Sequence, residues 1–348
     1  MPVSHPGTAR PQHTKTSRVR RPLKPILAQH PRRLRTFRAQ VLGWYDANKR
    51  DLPWRVTKDA YSIWLSETML QQTRVAVVKE YYPRFLKRFP TLEALAGARL
   101  SSVLAAWSGL GYYRRARALH VAARIVQREM DGQFPRAAEE LRTLPGVGPY
   151  TAAAVASIAF GQPVAVVDGN VERVITRLLG NQFQTAALWK RAEEMLDPSR
   201  PGDFNQAMME LGATVCLPRQ PLCSTCPIYR WCAMRGRFGV KPVPRRKRVP
   251  IRYCLARKNG SVFLVRRPAL ASLMPGMWEL PQLPAQSEAA SNSLKLRHSI
   301  TVTDYAVEVV TGDPPDSSPG RWVSVSQVAR LPLTGLTRKI FRHAGIIK

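Results

Sequence analysis

The chain has 348 residues, 45% of them hydrophobic, which is enough for two cores or for one core with a satellite domain. Lys and Arg outnumber Asp and Glu by 54 to 23, and the resulting net charge of +31 exceeds what solubility requires, so a polyanionic partner is expected, nucleic acid first. A membrane partner is not expected: no apolar run approaches the roughly 18 to 20 residues of a spanning helix, and no basic amphipathic helix stands out.

Residues 1–33 hold Arg, Lys, Pro, His and Ser without an acid, the first carboxylate being Asp46. Such a segment cannot build a core and is predicted to be a disordered basic tail, either an electrostatic arm for DNA or an organelle transit peptide. It lacks the apolar stretch of a secretory signal. If the source is bacterial, the chain is expected in the cytoplasm, associated with the nucleoid.

Residues 34–233 carry helical spacing almost throughout: Phe37, Val41 and Trp44, then Val103, Leu104 and Trp107, then Val155, Ile158 and Ala159 recur at three and four residues. Within this stretch Ile63, Glu67 and Leu70 share one helix face, which sets a carboxyl among apolar positions. Burial raises the pKa of such a group and keeps it protonated, as a general acid requires. The alternative is a structural glutamate satisfied by a backbone or arginine partner. Further on, Leu144-Pro145-Gly146-Val147-Gly148-Pro149 separates helical stretches at 137–142 and 150–159, predicting two helices joined by a glycine hairpin. Amides at the start of the second helix suit a phosphate, although a plain helix-helix turn has the same spacing. Asp168 follows the apolar run 164–167 and precedes another helical stretch. It reads as an N-cap, as a carboxylate that stabilises a cationic sugar, or as both.

Cys216, Cys223, Cys226 and Cys232 lie within 17 residues, and Cys254 stands apart. Five cysteines are too few for a disulfide framework, so a metal site in a reducing compartment is expected. One CxxC with a flanking cysteine on each side fits a cubane iron-sulfur cluster better than zinc, which usually takes two close knuckles. Arg219 and Arg230 inside the loop would then face phosphates. Residues 234–250 are basic and proline-rich, predicting an extended linker. From residue 251 the period changes to two. Ile251, Tyr253 and Leu255 alternate, Lys258-Asn259-Gly260 supplies a turn, and Val262 and Leu264 resume, predicting a hairpin that opens an α+β domain over 251–348. His298, Ile300 and Val302, then Tyr305, Val307 and Val309, continue the strand pattern.

The segments KRDLPWR (49–55), WLSETMLQQTR (64–74), LGYYR (110–114), LPGVGPYTAAAV, VVDGNVERV and NQAMMELGATVC occur in this order with the cysteine loop. Together they resemble the helix-hairpin-helix DNA glycosylases, and among these the MutY family of adenine DNA glycosylases. The resemblance covers residues 34–233 and implies a mainly α helix-hairpin-helix glycosylase domain with one 4Fe-4S cluster in its 216–232 loop. Residues 251–348, through Leu273 to Pro281 (LMPGMWELP), resemble the Nudix-like opposite-base domain of that family. No acidic Nudix box follows, so magnesium-dependent hydrolase chemistry is not expected there.

The resemblance also implies roles. Glu67 would protonate adenine and Asp168 would stabilise the sugar cation, with Tyr150 and Asn170 supporting the reaction. Arg50, Leu52, Trp54 and Glu210 would line the pocket of the extruded base. Gln71, Gln72, Thr73, Leu110 and Tyr112 would contact DNA, with Gln72, Leu110 and Tyr112 filling or wedging the helix, since flipping costs stacking energy. Gly146, Val147 and Gly148 would hold the backbone. A Phe-Ser-His segment of the family contacts 8-oxoguanine; its best match here is Leu296-Arg297-His298 followed by Ser299, with Arg297 departing from the serine. Thr334 to Ile340 resembles the family's closing segment. Endonuclease III, a sister family, carries a nucleophilic lysine where this chain has Tyr150, so a monofunctional enzyme is expected. The implied partner of this monomer is duplex DNA holding adenine opposite 8-oxoguanine or guanine, whose repair prevents G:C to T:A transversions. Two alternatives stand beside this reading: a related glycosylase for an oxidised pyrimidine or mismatched thymine, and a non-catalytic iron-sulfur redox sensor on DNA, which gives no reason for Glu67 and Asp168.

Overall fold

The computed structural model describes residues 30–237, 246–284, 293–300, 302–316 and 318–347. Most of the predicted basic tail (1–29) and much of the predicted linker (238–245) lie outside the described residues. The three- and four-residue spacing becomes a run of helices. They are α1 (Pro31–Asn48), α2 (Ala60–Leu70), α3 (Val75–Arg88), α4 (Leu92–Gly97), α5 (Leu100–Trp107), α6 (Tyr113–Glu129), α7 (Ala138–Leu141), α8 (Pro149–Phe160), α9 (Gly169–Leu179), α10 (Thr185–Met195) and α11 (Pro201–Thr214).

These helices bury two main cores. Trp64, Phe85, Trp107 and Leu119 centre the first, built from α2 to α8. Phe37, Ile175, Phe204 and Leu211 centre the second, built from α1 and α9 to α11. The halves meet where α11 crosses α8 and the start of α9, and two glycines allow that approach. A Cβ at Gly202 would lie 2.6 Å from the Ser157 carbonyl oxygen, and one at Gly212 2.6 Å from the Asn170 Cβ. At both positions backbone atoms stand within 3.0 Å of such a Cβ, the Ile158 Cα at 2.8 Å from that of Gly202 and the Asn170 carbonyl oxygen at 2.9 Å from that of Gly212.

Beyond the linker come β1 (Lys247–Leu255), β2 (Arg257–Lys258), β3 (Ser261–Arg266), β4 (Trp278–Glu279), β5 (Gln282–Leu283), β6 (Ser293–Ile300), β7 (Thr303–Thr311) and β8 (Gly320–Ser324), then α12 (Val325–Val328) and α13 (Gly335–His343). One sheet has the order β5-β1-β7-β6; the other has β2-β3-β4 with β8 on β3. This is the expected α+β domain, and β6 and β7 occupy the alternating stretches around 298–309. The opening hairpin needs correction. Its turn falls at Asn259-Gly260, with φ of 49° and 69°, but only the two-residue β2 pairs back onto β3. β1 instead runs parallel to β7, with Ile251 opposite Val307 and Tyr253 opposite Val309. Alternation fixes which face of a strand is buried, whereas the neighbour is chosen by tertiary packing. Tyr253, Leu255, Val262 and Leu264 all reach one core with Val307, Ile340 and Phe341.

The α+β domain seats directly on the helices. Met277 is fully buried in the first helical core. The Leu333 carbonyl accepts hydrogen bonds from Ser108 Oγ at 2.8 Å and the Tyr113 hydroxyl at 3.1 Å, and Arg338 Nε donates to Ser108 Oγ at 3.0 Å. Among the described residues no helix is long and apolar enough to cross a membrane.

Candidate active site

A cleft of about 670 Å³ opens between the two helical halves. Leu70 to Gln72 from the end of α2, Tyr112 and Arg115 at the start of α6, Gly146 and Gly148 to Thr151 of the hairpin and α8, and Asp168 to Asn170 at the start of α9 line it. Three of the four expected catalytic residues, Tyr150, Asp168 and Asn170, thus meet across the join of the two cores, and the fourth lies just behind them.

Asp59 begins α2 as N-cap, its side chain accepting from the Ser62 amide at 2.8 Å. The helix then runs buried from Ile63 to Met69, so Glu67 is carried inward with Ile63 and is 5% exposed. Its Oε2 accepts a hydrogen bond from the Tyr150 hydroxyl. This partner is neither backbone nor arginine. Burial is the main cause that pushes the Glu67 carboxyl up to about 7, with the nearby Asp168 charge adding to it and Tyr150 and Arg55 opposing it. Burial also holds the Tyr150 phenol well above its ordinary value, so it stays a donor. The Met209 sulfur lies 3.5 Å from that hydroxyl.

Asp168 is the N-cap of α9. Its Oδ1 accepts from the amides of Asn170 at 2.9 Å and Val171 at 2.7 Å, and its Oδ2 accepts from Asn170 Nδ2 at 2.7 Å. The expected capping role is therefore realised, and the carboxylate still lines the cleft. Asn170 is held in turn, its Oδ1 accepting from Arg173 Nη2 at 2.8 Å, and Arg173 Nε donates to the Cys216 carbonyl at 2.8 Å.

The hairpin sits where the sequence places it, between α7 and α8. Gly146 has a φ of 78°, and a Cβ there would lie 2.5 Å from the Ala118 Cβ. Gly146 and Gly148 line the cleft, whereas Val147, 6% exposed, turns into the core. At the mouth, Gln72 (φ 56°) and Tyr112 (φ 47°) both adopt the left-handed conformation. For a residue with a Cβ this costs about 1–2 kcal/mol, so the surroundings must impose it. Tyr112 is 43% exposed, while Leu110, 6% exposed, packs in the core rather than at the surface. Gln71 Nε2 donates to Thr151 Oγ1 at 2.9 Å, and Thr73 Oγ1 accepts from Arg115 at 3.0 Å.

Arg50, Leu52, Trp54 and Glu210 are not among the cleft-lining residues. Leu52 and Trp54 are buried, Trp54 edge-on to Tyr82 at 5.6 Å. Glu210 accepts from Arg50 Nε at 2.6 Å and Arg50 Nη2 at 2.7 Å, and from Arg55 Nη2 at 2.8 Å. Burial would raise the Glu210 pKa, but the two guanidiniums outweigh it and hold the group down at about 2. Arg55 was not singled out by sequence reasoning, although it closes the KRDLPWR segment and acts on both Glu67 and Glu210. Arg115 was also missed; its signal was an arginine just past LGYYR.

The four loop cysteines are half-buried, Cys216, Cys226 and Cys232 of them against the second core, with Arg219 and Arg230 exposed nearby in the loop. Burial, then the neighbouring Cys216, Cys232 and Cys223, pushes the Cys226 thiol up to about 11, and burial with Cys232 and Cys216 raises Cys223. The thiols are thus close enough to sense one another's charge. Among the described residues no group of three or more His, Cys, Asp and Glu converges as the ligands of one metal ion would. His298 and Ser299 lie on the edge strand β6 and are not among the residues that line the cleft. Ser299 Oγ donates to Asp304 Oδ1 at 2.6 Å, and half-burial, with Lys339 nearby, lowers the His298 pKa.

A cleft between two helical halves, with a glycine hairpin on one wall and a capped aspartate on the other, defines the class. The HhH-GPD superfamily base excision DNA repair protein model matches residues 65–197. A solved thermostable thymine-DNA glycosylase is 33% identical, covering 59% of this chain and 97% of that one with a TM-score of 0.55. Adenine DNA glycosylase of Rattus norvegicus is 51% identical over 218 residues, 58% of this chain and 42% of its own length. Adenine DNA glycosylase of Buchnera aphidicola subsp. Acyrthosiphon pisum is 31% identical over 265 residues, 73% of this chain and 76% of its own length. The chain therefore belongs to the adenine DNA glycosylase family, although it spans less than half the length of the rat relative.

Proposed function

We propose that the protein is a monofunctional DNA glycosylase of base excision repair that flips out and hydrolyses adenine mispaired with 8-oxoguanine or guanine. The observation that carries this reading is Glu67, a carboxyl held near neutral pKa by burial, hydrogen-bonded by Tyr150 and close enough to Asp168 to feel its charge. Protonated Glu67 gives its proton to a ring nitrogen of adenine as the bond to the sugar C1′ breaks, and the base leaves neutral. Asp168, fixed by three hydrogen bonds, faces the developing sugar cation. Water adds to C1′, and its released proton returns to Glu67. No lysine stands at position 150 to form a Schiff base, which supports hydrolysis without strand cleavage.

The remaining assignments belong to the same proposal. Gln71, Gln72, Thr73, Tyr112 and the hairpin Gly146 to Gly148 contact DNA. Leu110, now packed inside, serves as a wedge only if its loop rearranges. Arg50, Leu52, Trp54 and Glu210 shape the wall behind Glu67, Glu210 through its two arginines. The domain of residues 251–348 is Nudix-like and reads the opposite base, His298 and Ser299 being its candidate contacts. Cys216, Cys223, Cys226 and Cys232 hold one 4Fe-4S cluster. The donor set fits in its chemistry: four soft thiols on one loop, with Cys216, Cys223 and Cys232 near enough to act on the Cys226 thiol. When bound, the cluster would hold the loop that carries Arg219 and Arg230. Purified protein is expected to be brown with about four irons per chain; a colourless protein with one zinc would refute this ligand set.

The main test is single-turnover base release from duplexes pairing adenine with 8-oxoguanine, guanine or cytosine, and thymine with guanine. Glu67→Gln is expected to bind the adenine:8-oxoguanine duplex and release no base. Preference of the wild type for thymine would move the protein to the thymine reading, and full activity of Glu67→Gln would remove Glu67 from the chemistry.

A further inference from the structure

Arg115 lies in the first turn of α6, where the helix dipole disfavours a cation, and it is largely buried. Carbonyl and hydroxyl oxygens, not a carboxylate, hold it there. Nη1 donates to the carbonyls of Thr68 at 2.8 Å and Met69 at 2.9 Å, and also to that of Gln71. These belong to the last turn and cap of α2, whose carbonyls have no partner within their own helix and carry the negative end of its dipole. Nη2 donates to Thr73 Oγ1 at 3.0 Å and to the Gly111 carbonyl at 3.3 Å. The guanidinium also stands over the rings of Trp107 at 5.5 Å and Tyr112 at 5.3 Å.

Its partners therefore flank, on both sides of the cleft mouth, the two residues held in left-handed conformation: Gln71 and Thr73 enclose Gln72, and Gly111 precedes Tyr112. We propose that Arg115 is a positioning residue that locks the Gln71–Thr73 and Leu110–Tyr112 loops to one another, so that Gln72 and Tyr112 are presented together to the DNA helix when a base is extruded. Only a planar fork with five donors reaches both loops; a lysine ammonium is one compact charge that satisfies one side. Although burial lowers its pKa to about 10, the group is still charged at neutral pH.

The inference rests on the proposed base-flipping function, and its test separates the two. Base extrusion is read by the fluorescence of 2-aminopurine placed opposite 8-oxoguanine, and cleavage by single-turnover release of adenine from the matching duplex. Arg115→Lys is expected to lower both signals about tenfold, as misplacement of positioning groups does. Combined with Tyr112→Ala, it is expected to add no more than about twofold to the loss from Tyr112→Ala alone, because both changes abolish one arrangement. Thr73→Val, which removes one acceptor and leaves the α2 contacts, is expected to lower both signals about threefold with the same non-additivity. It serves as the test should Arg115→Lys fail to fold. Losses that multiply, or wild-type signals in Arg115→Lys, would overturn the proposal. A wild type that extrudes 2-aminopurine but releases no adenine would sink the proposed reaction and leave Arg115 to be judged on fluorescence.

Discussion

At the scale of single residues, Glu67 and Asp168 are two carboxyl groups made different by their surroundings. Glu67 is buried and bonded by a phenol that cannot neutralise it, so it holds its proton near neutral pH. Since the proposed chemistry uses the protonated form, the rate of base release is expected to fall roughly tenfold per pH unit above about 7. The stability consequence has a definite sign. A carboxyl raised from 4.5 to about 7 binds its proton more tightly folded than unfolded, so its contribution is fully present below pH 4.5 and is lost as pH rises through about 7. Glu67→Gln, which cannot ionise, is expected to melt higher than wild type at pH 8 and level with it at pH 4. Thermal unfolding at the two pH values checks this; equal melting temperatures at pH 8 would contradict a buried, proton-holding Glu67. Asp168 calls for a different substitution, because it caps α9 as well as facing the cleft. Asp168→Asn keeps an acceptor oxygen for the Val171 amide and removes the charge, whereas Asp168→Ala also costs about 1 kcal/mol of helix stability. Base release is expected to fall about a hundredfold or more in both, with only Asp168→Ala melting lower.

At the scale of elements, the cleft depends on two tight approaches. The hairpin before α8 turns at Gly146 with positive φ and against Ala118 of α6. Gly146→Ala would strain the backbone and drive a methyl to 2.5 Å from another, moving the hairpin off α6. A loss of roughly 1–3 kcal/mol in stability is expected, measured by denaturant unfolding, together with weaker DNA binding. Gly148→Ala is the control: its Cβ position is open and its φ negative, so stability is expected to change by less than about 0.5 kcal/mol. A Gly148→Ala protein that nonetheless lost DNA binding would point to close backbone contact with phosphate there.

At the scale of the whole molecule, the α+β domain shares a core with the helices. Met277 fills the first helical core, and the Leu333 carbonyl meets Ser108 at the end of α5 and Tyr113 at the start of α6, on either side of the loop that carries Tyr112. The two parts are therefore expected to unfold together. Met277→Ala should lower a single melting transition by the equivalent of about 2–4 kcal/mol, and two transitions in calorimetry would mean that the domains are independent. The large positive charge belongs to this scale too. DNA affinity is expected to fall linearly in log–log form with salt as counterions are released; a flat salt dependence would assign the charge to something other than DNA.

The sequence by itself determined the helical and strand-bearing halves, the hairpin at Gly146, the cap at Asp168 and the inward placement of Glu67, because each follows from local periodicity or backbone chemistry. Tertiary structure decided what depends on distant partners. Tyr150 rather than an arginine bonds Glu67, since α8 and α2 meet only in the folded cleft. β1 pairs with β7 rather than back across the turn, since alternation names a face and not a neighbour. Arg55 and Arg115 were invisible for the same reason: one arginine among 54 basic residues carries no sign of burial until the carbonyls or carboxylates that hold it are brought beside it. Leu110 and Val147 lie inside because packing, and not their place in a motif, sets exposure.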